Sequence, residues 1–229
     1  MHFKRRRAAL KAWGISALLA VAPAIGAQGV TDPAHRAERA DFRVLVLGDS
    51  LSAEYGIARG TGWVALLAQR LRSRGHSALV VNGSISGETT AGGRTRLPGL
   101  LQAHRPTHVI IELGGNDALR GWSLQTTQAN LVAMVKAAQS AGAQVLLVGM
   151  QLPPNYGRRY AQDFARTFEQ AAQRTGADLV PFLLKGVADR ADAREWFQAD
   201  GIHPLAKAHP VMLDNVWPAL DAQLKTRTR

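Results

Sequence analysis

Five short apolar runs, most of them separated by enough chain for a helix, constrain the fold more than any other feature of this sequence. Between them, apolar residues recur three and four positions apart, which is the spacing of one helix face. Continuous apolar strands that alternate with amphipathic helices are typical of a parallel sheet covered on both faces. We therefore predict an α/β fold. The runs are RVLVLG (43–48), ALVVNGS (78–84), HVIIELG (108–114), QVLLVGM (144–150) and LVPFL (179–183), and the helical spacing is clearest at Trp63, Leu66, Leu67 and Leu71 and at Leu131, Met134, Val135 and Ala138.

Polar and glycine-rich loops follow the first three runs, and one further polar turn stands before the last helical stretch. In open parallel sheets, ligands bind beyond the carboxyl ends of the strands, where these loops are expected. A site would form there if the loops meet. The four segments are GDSLS (48–52), GSISGETTAGG (83–93), GGNDALRG (114–121) and DGIHP (200–204).

The turn DGIHP is the most informative of the four because of its spacing. Asp200 and His203 are three residues apart, Gly201 allows a tight bend, and Pro204 restricts the backbone of His203. A carboxylate that accepts the N–H of an imidazole fixes its tautomer, which a general base for a serine hydroxyl needs. The alternative is an aspartate that caps a short turn beside a solvated histidine.

Ser50 follows the first apolar run directly and has two interpretations. It is either a nucleophile at a strand end or the cap of the next helix, since serine and aspartate are common caps. The nucleophile elbow G-x-S-x-G is absent, because Ser52 stands where the second glycine would be. An ordinary α/β-hydrolase is therefore not indicated.

Two further loops carry candidate hydrogen-bond donors. The amide of Asn116 offers neutral donors to a developing oxyanion, without the desolvation cost of a buried cation. The alternative is a turn residue held by its own backbone. Asp117 is expected to anchor this loop rather than react. Gly87 fits a backbone amide brought close to substrate, or a phosphate-binding loop, but no lysine follows it as in a P-loop.

Other chemistries find less support in the residues. The chain has no cysteine, so a thiol nucleophile and disulfides are excluded. His104 and His108 are four apart, but Pro106 between them disfavours the helix that would align them on a metal. No basic run with interleaved aromatic residues indicates a nucleic-acid partner. The loops ALRGWS (118–123) and LPPNYGRRY (152–160) either line an acyl pocket or are ordinary loops.

The beginning of the chain has the order of an export leader, in which a basic segment, an apolar segment and small residues follow one another. We predict a signal peptide over residues 1–27, a linker over residues 28–40 and one domain over residues 41–229. Five of the eleven net positive charges lie in the leader, which leaves +6 on the mature chain. An uncleaved membrane anchor is the alternative. With cleavage, we expect a periplasmic or secreted protein without stable membrane insertion.

The four loops are more specific in combination than singly. GDSLSAEYG (48–56), Gly87 in SISGETT (84–90), GGND (114–117) and DGIHP (200–204) resemble the four blocks that characterise the SGNH hydrolase family. From about residue 42 to residue 220, the chain is similar to bacterial periplasmic members with thioesterase, lysophospholipase and arylesterase activity.

This resemblance implies that Ser50 is the nucleophile, His203 the general base and Asp200 its orienting carboxylate. It implies an oxyanion hole made of the backbone N–H groups of Ser50 and Gly87 and the side chain of Asn116. The implied fold is a three-layer α/β/α sandwich with five parallel strands, without cofactor or metal. The implied substrates are small-molecule carboxylic esters and thioesters, including lysophospholipids and acyl-CoA. A carbohydrate O-deacetylase and a non-catalytic exported protein that binds an acyl chain or an anion stay open as alternatives.

Overall fold

Five parallel strands form one sheet, in the order β2-β1-β3-β4-β5, within residues 40–227, the part of the chain that this computed structural model describes. All five predicted runs contain a strand, so the predicted parallel sheet is confirmed. The predicted leader, residues 1–27, and all but the last residue of the predicted linker, residues 28–40, lie outside the described residues. The strands are β1 (Phe42–Gly48), β2 (Ala78–Asn82), β3 (His108–Glu112), β4 (Gln144–Val148) and β5 (Asp178–Val180).

Helices cover both faces of this sheet. Side chains of a strand alternate between the two faces, yet every side chain of β3 and nearly every one of β1 and β4 is buried. Both faces must therefore be covered, which confirms the three-layer sandwich. Helix α1 packs on α6, and α4 packs on α2 and α5. The helices are α1 (Trp63–Ser73), α2 (Thr90–His104), α3 (Gly115–Leu119), α4 (Leu124–Ser140), α5 (Arg158–Thr175) and α6 (His209–Arg227), with short 3-10 turns at Pro154–Tyr156, Ala193–Trp196 and Ala206–Ala208.

The last strand is shorter than its apolar run predicts. The run spans residues 179–183, but β5 ends at Val180. Pro181 has no N–H to donate to a neighbouring strand, so the ladder stops there although the following residues are apolar. Leu183 and Leu184 are still buried in the core, as part of the segment that leaves β5.

All five strands point the same way, so their carboxyl ends share one edge of the sheet. Strand β1 lies between β2 and β3, with Val44 opposite Val80 on one side and His108 on the other. The GDSLS loop therefore leaves that edge from an interior strand, the second of the five. None of the helices in the described range is both long and apolar enough to cross a lipid bilayer.

Candidate active site

Ser50, His203 and Asp200 form a continuous hydrogen-bonded chain at the carboxyl edge of the sheet. The Ser50 hydroxyl lies 2.9 Å from Nε2 of His203, and Nδ1 of His203 lies 2.7 Å from Oδ2 of Asp200. With the ring proton on Nδ1, His203 donates to Asp200 and accepts from Ser50. This tautomer leaves Nε2 free to take the hydroxyl proton.

The turn DGIHP has the tight geometry that its spacing predicts. Oδ1 of Asp200 accepts the backbone N–H groups of Ile202 and His203 at 2.9 and 3.0 Å, and Gly201 adopts a φ of +68°. The His203 backbone N–H, followed by the imidazole and the Ile202 N–H, lowers the pKa of Asp200 from 3.8 to about 2. Asp200 is therefore a carboxylate at neutral pH. Asp200 thus closes the turn through Oδ1 and contacts the imidazole of His203 through Oδ2, so the turn-capping and the imidazole-bound interpretations of this residue are compatible.

Ser50 lies in a turn rather than at a helix start. The N–H of Ala53 donates to the carbonyl of Asp49 at 2.9 Å, and the next helix, α1, begins only at Trp63, after Gly62. Ser50 therefore caps no helix. The turn presents its hydroxyl to His203 from the end of a central, buried strand.

Tyr55 covers the imidazole of His203. The two ring centroids are 4.3 Å apart with the planes tilted by 39°, and the backbone carbonyl of Tyr55 accepts Nε2 of Gln198 at 2.9 Å. Nothing in the sequence pattern pointed to Tyr55, because its contact with His203 spans most of the chain. It limits the ring orientations that His203 can adopt.

Asn116 lies in the first turn of α3, beside the serine loop. Its Nδ2 donates to Oδ2 of Asp49 and to the backbone carbonyl of Glu88, both at 3.0 Å. The structure thus joins three of the predicted loops through one amide. Gly87 precedes Glu88, has a φ of +77°, and its carbonyl accepts the guanidinium of Arg120 at 3.2 Å.

Asp117 anchors its loop, as expected. The buried carboxylate accepts the backbone N–H of Thr90 at 2.9 Å and also the hydroxyls of Thr90 and Thr127. These bonds join α3 to the starts of α2 and α4. Asp117 is therefore a structural residue beside the site.

Sequence reasoning missed two buried carboxyl groups beneath Ser50. Asp49 is 4% exposed, and burial raises its pKa from 3.8 to about 6, although hydrogen bonds from the Leu51 N–H and Asn116 oppose this rise. Glu112 is fully buried at the end of β3, and burial, followed by the charge of Asp49, raises its pKa well above its ordinary value. An acid inside the apolar run HVIIELG was the available signal, since a buried charge is costly.

Glu112 holds the serine loop from below through a short polar chain. The Ser52 hydroxyl donates to Oε2 of Glu112 at 2.7 Å, and Nε1 of Trp63 donates to the same hydroxyl at 3.2 Å. A Cβ on Gly48 would lie 2.8 Å from that Oε2, so only glycine fits here. Ser52 therefore stands where the elbow glycine would be because its hydroxyl has a buried partner.

No group of three or more metal-ligating side chains occurs among residues 40–227. His104 ends α2 whereas His108 begins β3, so the two histidines do not share a helix face. The loops 118–123 and 152–160 follow β3 and β4 and therefore lie at the same edge as Ser50. The Tyr160 hydroxyl donates to the Ala118 carbonyl at 3.2 Å and joins the two loops.

An α/β/α sandwich with a hydrogen-bonded serine, histidine and aspartate beyond its parallel strands defines the class of serine hydrolases. The family model described as the GDSL-like lipase/acylhydrolase family matches residues 46–211. The chain therefore belongs to this family, the SGNH hydrolases.

Named relatives agree with this assignment. Esterase TesA of Pseudomonas aeruginosa is 51% identical over 177 residues, which cover 77% of this chain and 87% of that protein. Thioesterase 1/protease 1/lysophospholipase L1 of Escherichia coli (strain K12) is 42% identical over 188 residues, which cover 82% and 86%. The crystal structure of the psychrotrophic esterase EstA from Pseudoalteromonas sp., inhibited by monoethylphosphonate, superposes with a TM-score of 0.75 at 40% identity and covers 81% of this chain and all of that one.

The family and these relatives make the chain an SGNH-type esterase that acts on small-molecule esters. They favour an esterase of the kind named in these relatives over the carbohydrate O-deacetylase and the non-catalytic binding protein that the sequence had left open.

Proposed function

We propose that this esterase works by two-step acyl transfer through Ser50. The Ser50 hydroxyl attacks the ester or thioester carbonyl while Nε2 of His203 takes its proton. His203 then protonates the departing alcohol or thiol, and an acyl-enzyme remains. Water attacks this intermediate with His203 again as base, which releases the acid and restores the Ser50 hydroxyl. The observation that carries the proposal is the 2.9 Å contact between Ser50 Oγ and His203 Nε2.

We further propose that Asp200 orients His203 and stabilises its cationic form. Support comes from the 2.7 Å contact with Nδ1 and from a pKa of about 2, which keeps the acid ionised. Since Asp200 is itself held by two backbone N–H groups, it can fix the ring in one orientation.

The proposed oxyanion hole comprises the backbone N–H groups of Ser50 and Gly87 and the amide of Asn116. Both hydrogens of that amide are engaged in the free protein, one by Asp49 and one by the Glu88 carbonyl. The amide is therefore already oriented when substrate arrives, and it shares one hydrogen with the oxyanion. Preorganised donors of this kind stabilise developing charge without a reorganisation cost.

Aryl esters, thioesters and lysophospholipids are the proposed substrate classes, with acyl chains from short to long. The names of the P. aeruginosa and E. coli relatives, an esterase and a thioesterase/lysophospholipase, support this range. The leader-like sequence of residues 1–27 supports a periplasmic or secreted location. Acyl-CoA is chiefly cytosolic, so an exported enzyme would meet lysophospholipids and exogenous esters instead. We propose no nucleic-acid partner.

Covalent labelling tests the mechanism directly. An organophosphonate ester should form one adduct per chain on Ser50, because the base beside that hydroxyl makes it the activated nucleophile. Labelling should nearly vanish in His203→Ala and persist in His104→Ala, a histidine at the end of α2. Peptide mass spectrometry reads the site. An adduct on another serine, or equal labelling in both variants, would refute the assignment of Ser50 and His203.

A further inference from the structure

The exposed large apolar side chains of the described residues all lie at the carboxyl edge of the sheet. Within residues 40–227 six such side chains are 38–50% exposed. Each stands in the connections at the carboxyl ends of the strands or in the DGIHP turn, so together they surround the candidate active site. A single exposed apolar residue is ordinary, but a set confined to one face marks an interaction surface. The six, which we call the rim, are Tyr55, Ile85, Leu119, Trp122, Tyr156 and Ile202.

Hydrogen bonds join the loops that carry the rim. Gln198 Nε2 donates to the Tyr55 carbonyl and links the DGIHP segment to the serine loop. Arg120 donates to the Gly87 carbonyl, which ties the Trp122 loop to the Ile85 loop. The bond from Tyr160 to Ala118 brings the Tyr156 segment beside the same loop. The Ile85 N–H donates to the Gly48 carbonyl at 3.1 Å, which joins these loops to the serine loop. The rim side chains therefore stand on loops that are bonded to one another.

Unpaired positive charge accompanies the rim. Arg59 lies on the Tyr55 loop, Arg120 between Leu119 and Trp122, and Arg158 two residues after Tyr156. All three are exposed, and within the described residues none has a carboxylate partner at ion-pair distance.

The acids of the same loops are already engaged. Glu54 accepts the backbone N–H groups of Gly60 and Gly62, and Glu88 pairs with Arg96 at 2.7 Å. Within the described residues, no carboxylate at ion-pair distance neutralises the three exposed arginines, and together with the apolar rim they suit an anionic, partly apolar partner.

We propose that the rim docks the active site onto the surface of anionic phospholipid assemblies. This inference rests on the proposed function, because it gives lysophospholipids and other membrane esters a direct route to Ser50. Tyrosine and tryptophan favour the boundary between headgroups and acyl chains, and arginine binds lipid phosphate. The rim side chains come from separate loops and are each about half exposed. That arrangement fits a headgroup layer better than the enclosure of one acyl chain.

Vesicle co-sedimentation tests the proposal without relying on turnover. We use the exported chain carrying Ser50→Ala, so that no lipid is hydrolysed. Vesicles of phosphatidylglycerol and phosphatidylcholine in equal parts should bind it at least tenfold more tightly than pure phosphatidylcholine. The double variant Trp122→Ser/Tyr156→Ser should lose roughly tenfold of the binding to the anionic vesicles, since each aromatic side chain loses its apolar contact.

Charge variants on one helix supply a matched control. Arg158 begins α5 at the rim, whereas Arg174 lies in its last turn, at the opposite edge of the sheet. Arg158→Gln should weaken binding to the anionic vesicles several-fold, and Arg174→Gln should not. Circular dichroism confirms that each variant is folded.

The outcomes separate this proposal from the mechanism. The docking surface is overturned if the protein does not bind vesicles, or if the rim variants and Arg174→Gln change the binding equally. Either result is independent of whether Ser50 is the nucleophile. A second outcome is that the protein does not bind vesicles and that the rim variants slow hydrolysis of monomeric long-chain esters. This outcome would assign the rim to the binding of a single acyl chain and would also overturn the docking surface. Retained hydrolysis by the Ser50→Ala chain would overturn the mechanism and leave the vesicle result standing.

Discussion

Asp49 connects the proposed nucleophile to the proposed oxyanion donor. Its Oδ1 accepts the N–H of Leu51 at 3.0 Å, one residue beyond Ser50, and its Oδ2 accepts the amide of Asn116. Burial raises its pKa to about 6, so the group is mostly ionised at neutral pH and accepts both bonds. At the scale of single residues, one carboxylate therefore orients both the serine turn and the Asn116 amide.

Asn116→Ala should lower kcat by roughly a hundredfold or more, because loss of one oxyanion donor costs on the order of 3 kcal/mol of barrier. The change should leave KM for p-nitrophenyl butyrate within a few fold. Steady-state kinetics measure both constants.

Asn215→Ala is the matched control for this prediction. It also removes an amide that donates to two backbone carbonyls, those of Leu183 and Lys185. That variant should lose stability rather than kcat. Turnover of Asn116→Ala close to that of the parent chain would remove Asn116 from the mechanism.

At the scale of helices and strands, His209 joins α6 to α1. It begins α6, and its Nδ1 accepts the first N–H of α1, that of Trp63, at 3.0 Å. Gly62, which precedes α1, has no side chain to do this. The imidazole is 2% exposed, and burial lowers its pKa from 6.5 to about 4. A neutral His209 is thus part of the packing of α1 on α6.

Acid should lower the free energy of unfolding because of His209. Between pH 6.5 and 4 the unfolded chain binds a proton at this position and the folded chain does not, so stability falls as pH falls, by roughly 2 to 3 kcal/mol from this group. His209→Asn keeps an acceptor but cannot titrate, and it should lose less stability over that range. Urea unfolding at a series of pH values measures the difference. Parallel pH profiles for the two proteins would show that His209 is not responsible.

Gly149 allows β4 and β5 to end close together. A Cβ at this position would lie 2.4 Å from the carbonyl oxygen of Pro181, a backbone atom that cannot turn away. The N–H of Gly149 donates to the Val180 carbonyl at 2.7 Å, so the two segments are already in direct contact. The close approach is a property of the strand pair rather than of either strand.

Gly149→Ala should lower the free energy of unfolding by about 2 kcal/mol, because overpacked sites force the backbone apart. Gly99→Ala is the control, since nothing lies within 4 Å of its Cβ position in α2. Alanine in a helix interior should raise stability there by roughly 0.5 to 1 kcal/mol. Chemical denaturation of both variants gives the two values. If Gly149→Ala were as stable as the parent protein, close packing against Pro181 would not be what requires glycine at this position.

At the scale of the whole molecule, the segment after β5 completes the site. Strand β5 is at one edge of the sheet, whereas β1, which precedes Ser50, is an interior strand separated from β5 by β3 and β4. The bridge between Phe197 and Pro204 closes this segment on itself, and the bond from Gln198 to Tyr55 holds it against the serine loop. Ser50 and His203 are 153 residues apart in the chain, and they meet only because the segment after β5 passes back to the serine loop.

Export is predicted for the whole chain. Cells that produce it should hold the protein in the periplasm or the medium, with a mass that corresponds to cleavage near Ala27. The double change Leu18→Arg/Leu19→Arg interrupts the apolar segment and should leave an uncleaved chain in the cytosol. Fractionation with mass spectrometry distinguishes the two. A periplasmic chain that keeps its full mass would favour the membrane anchor instead.

Local patterns predicted the elements of this fold and most of the residues of its site. Apolar runs and helical spacing depend on neighbours a few positions away, and therefore the five strands could be located from residues alone, except that Pro181 ended β5 early. The tight turn of Asp200 and His203 followed from their spacing, and the proposed roles of Ser50, Gly87 and Asn116 came from the resemblance of four short blocks to a known family.

Contacts between distant segments could not be predicted in the same way. Whether Ser50 ended a strand or capped a helix depended on the turn after β1, and its 2.9 Å approach to His203 depends on strand order and on the path of the segment after β5. Asp49 and Glu112 act through burial, and Tyr55 acts through its contact with His203 far along the chain, and no local spacing encodes either. The residue types thus specify the chemistry that is available, and long-range packing determines which of these groups meet.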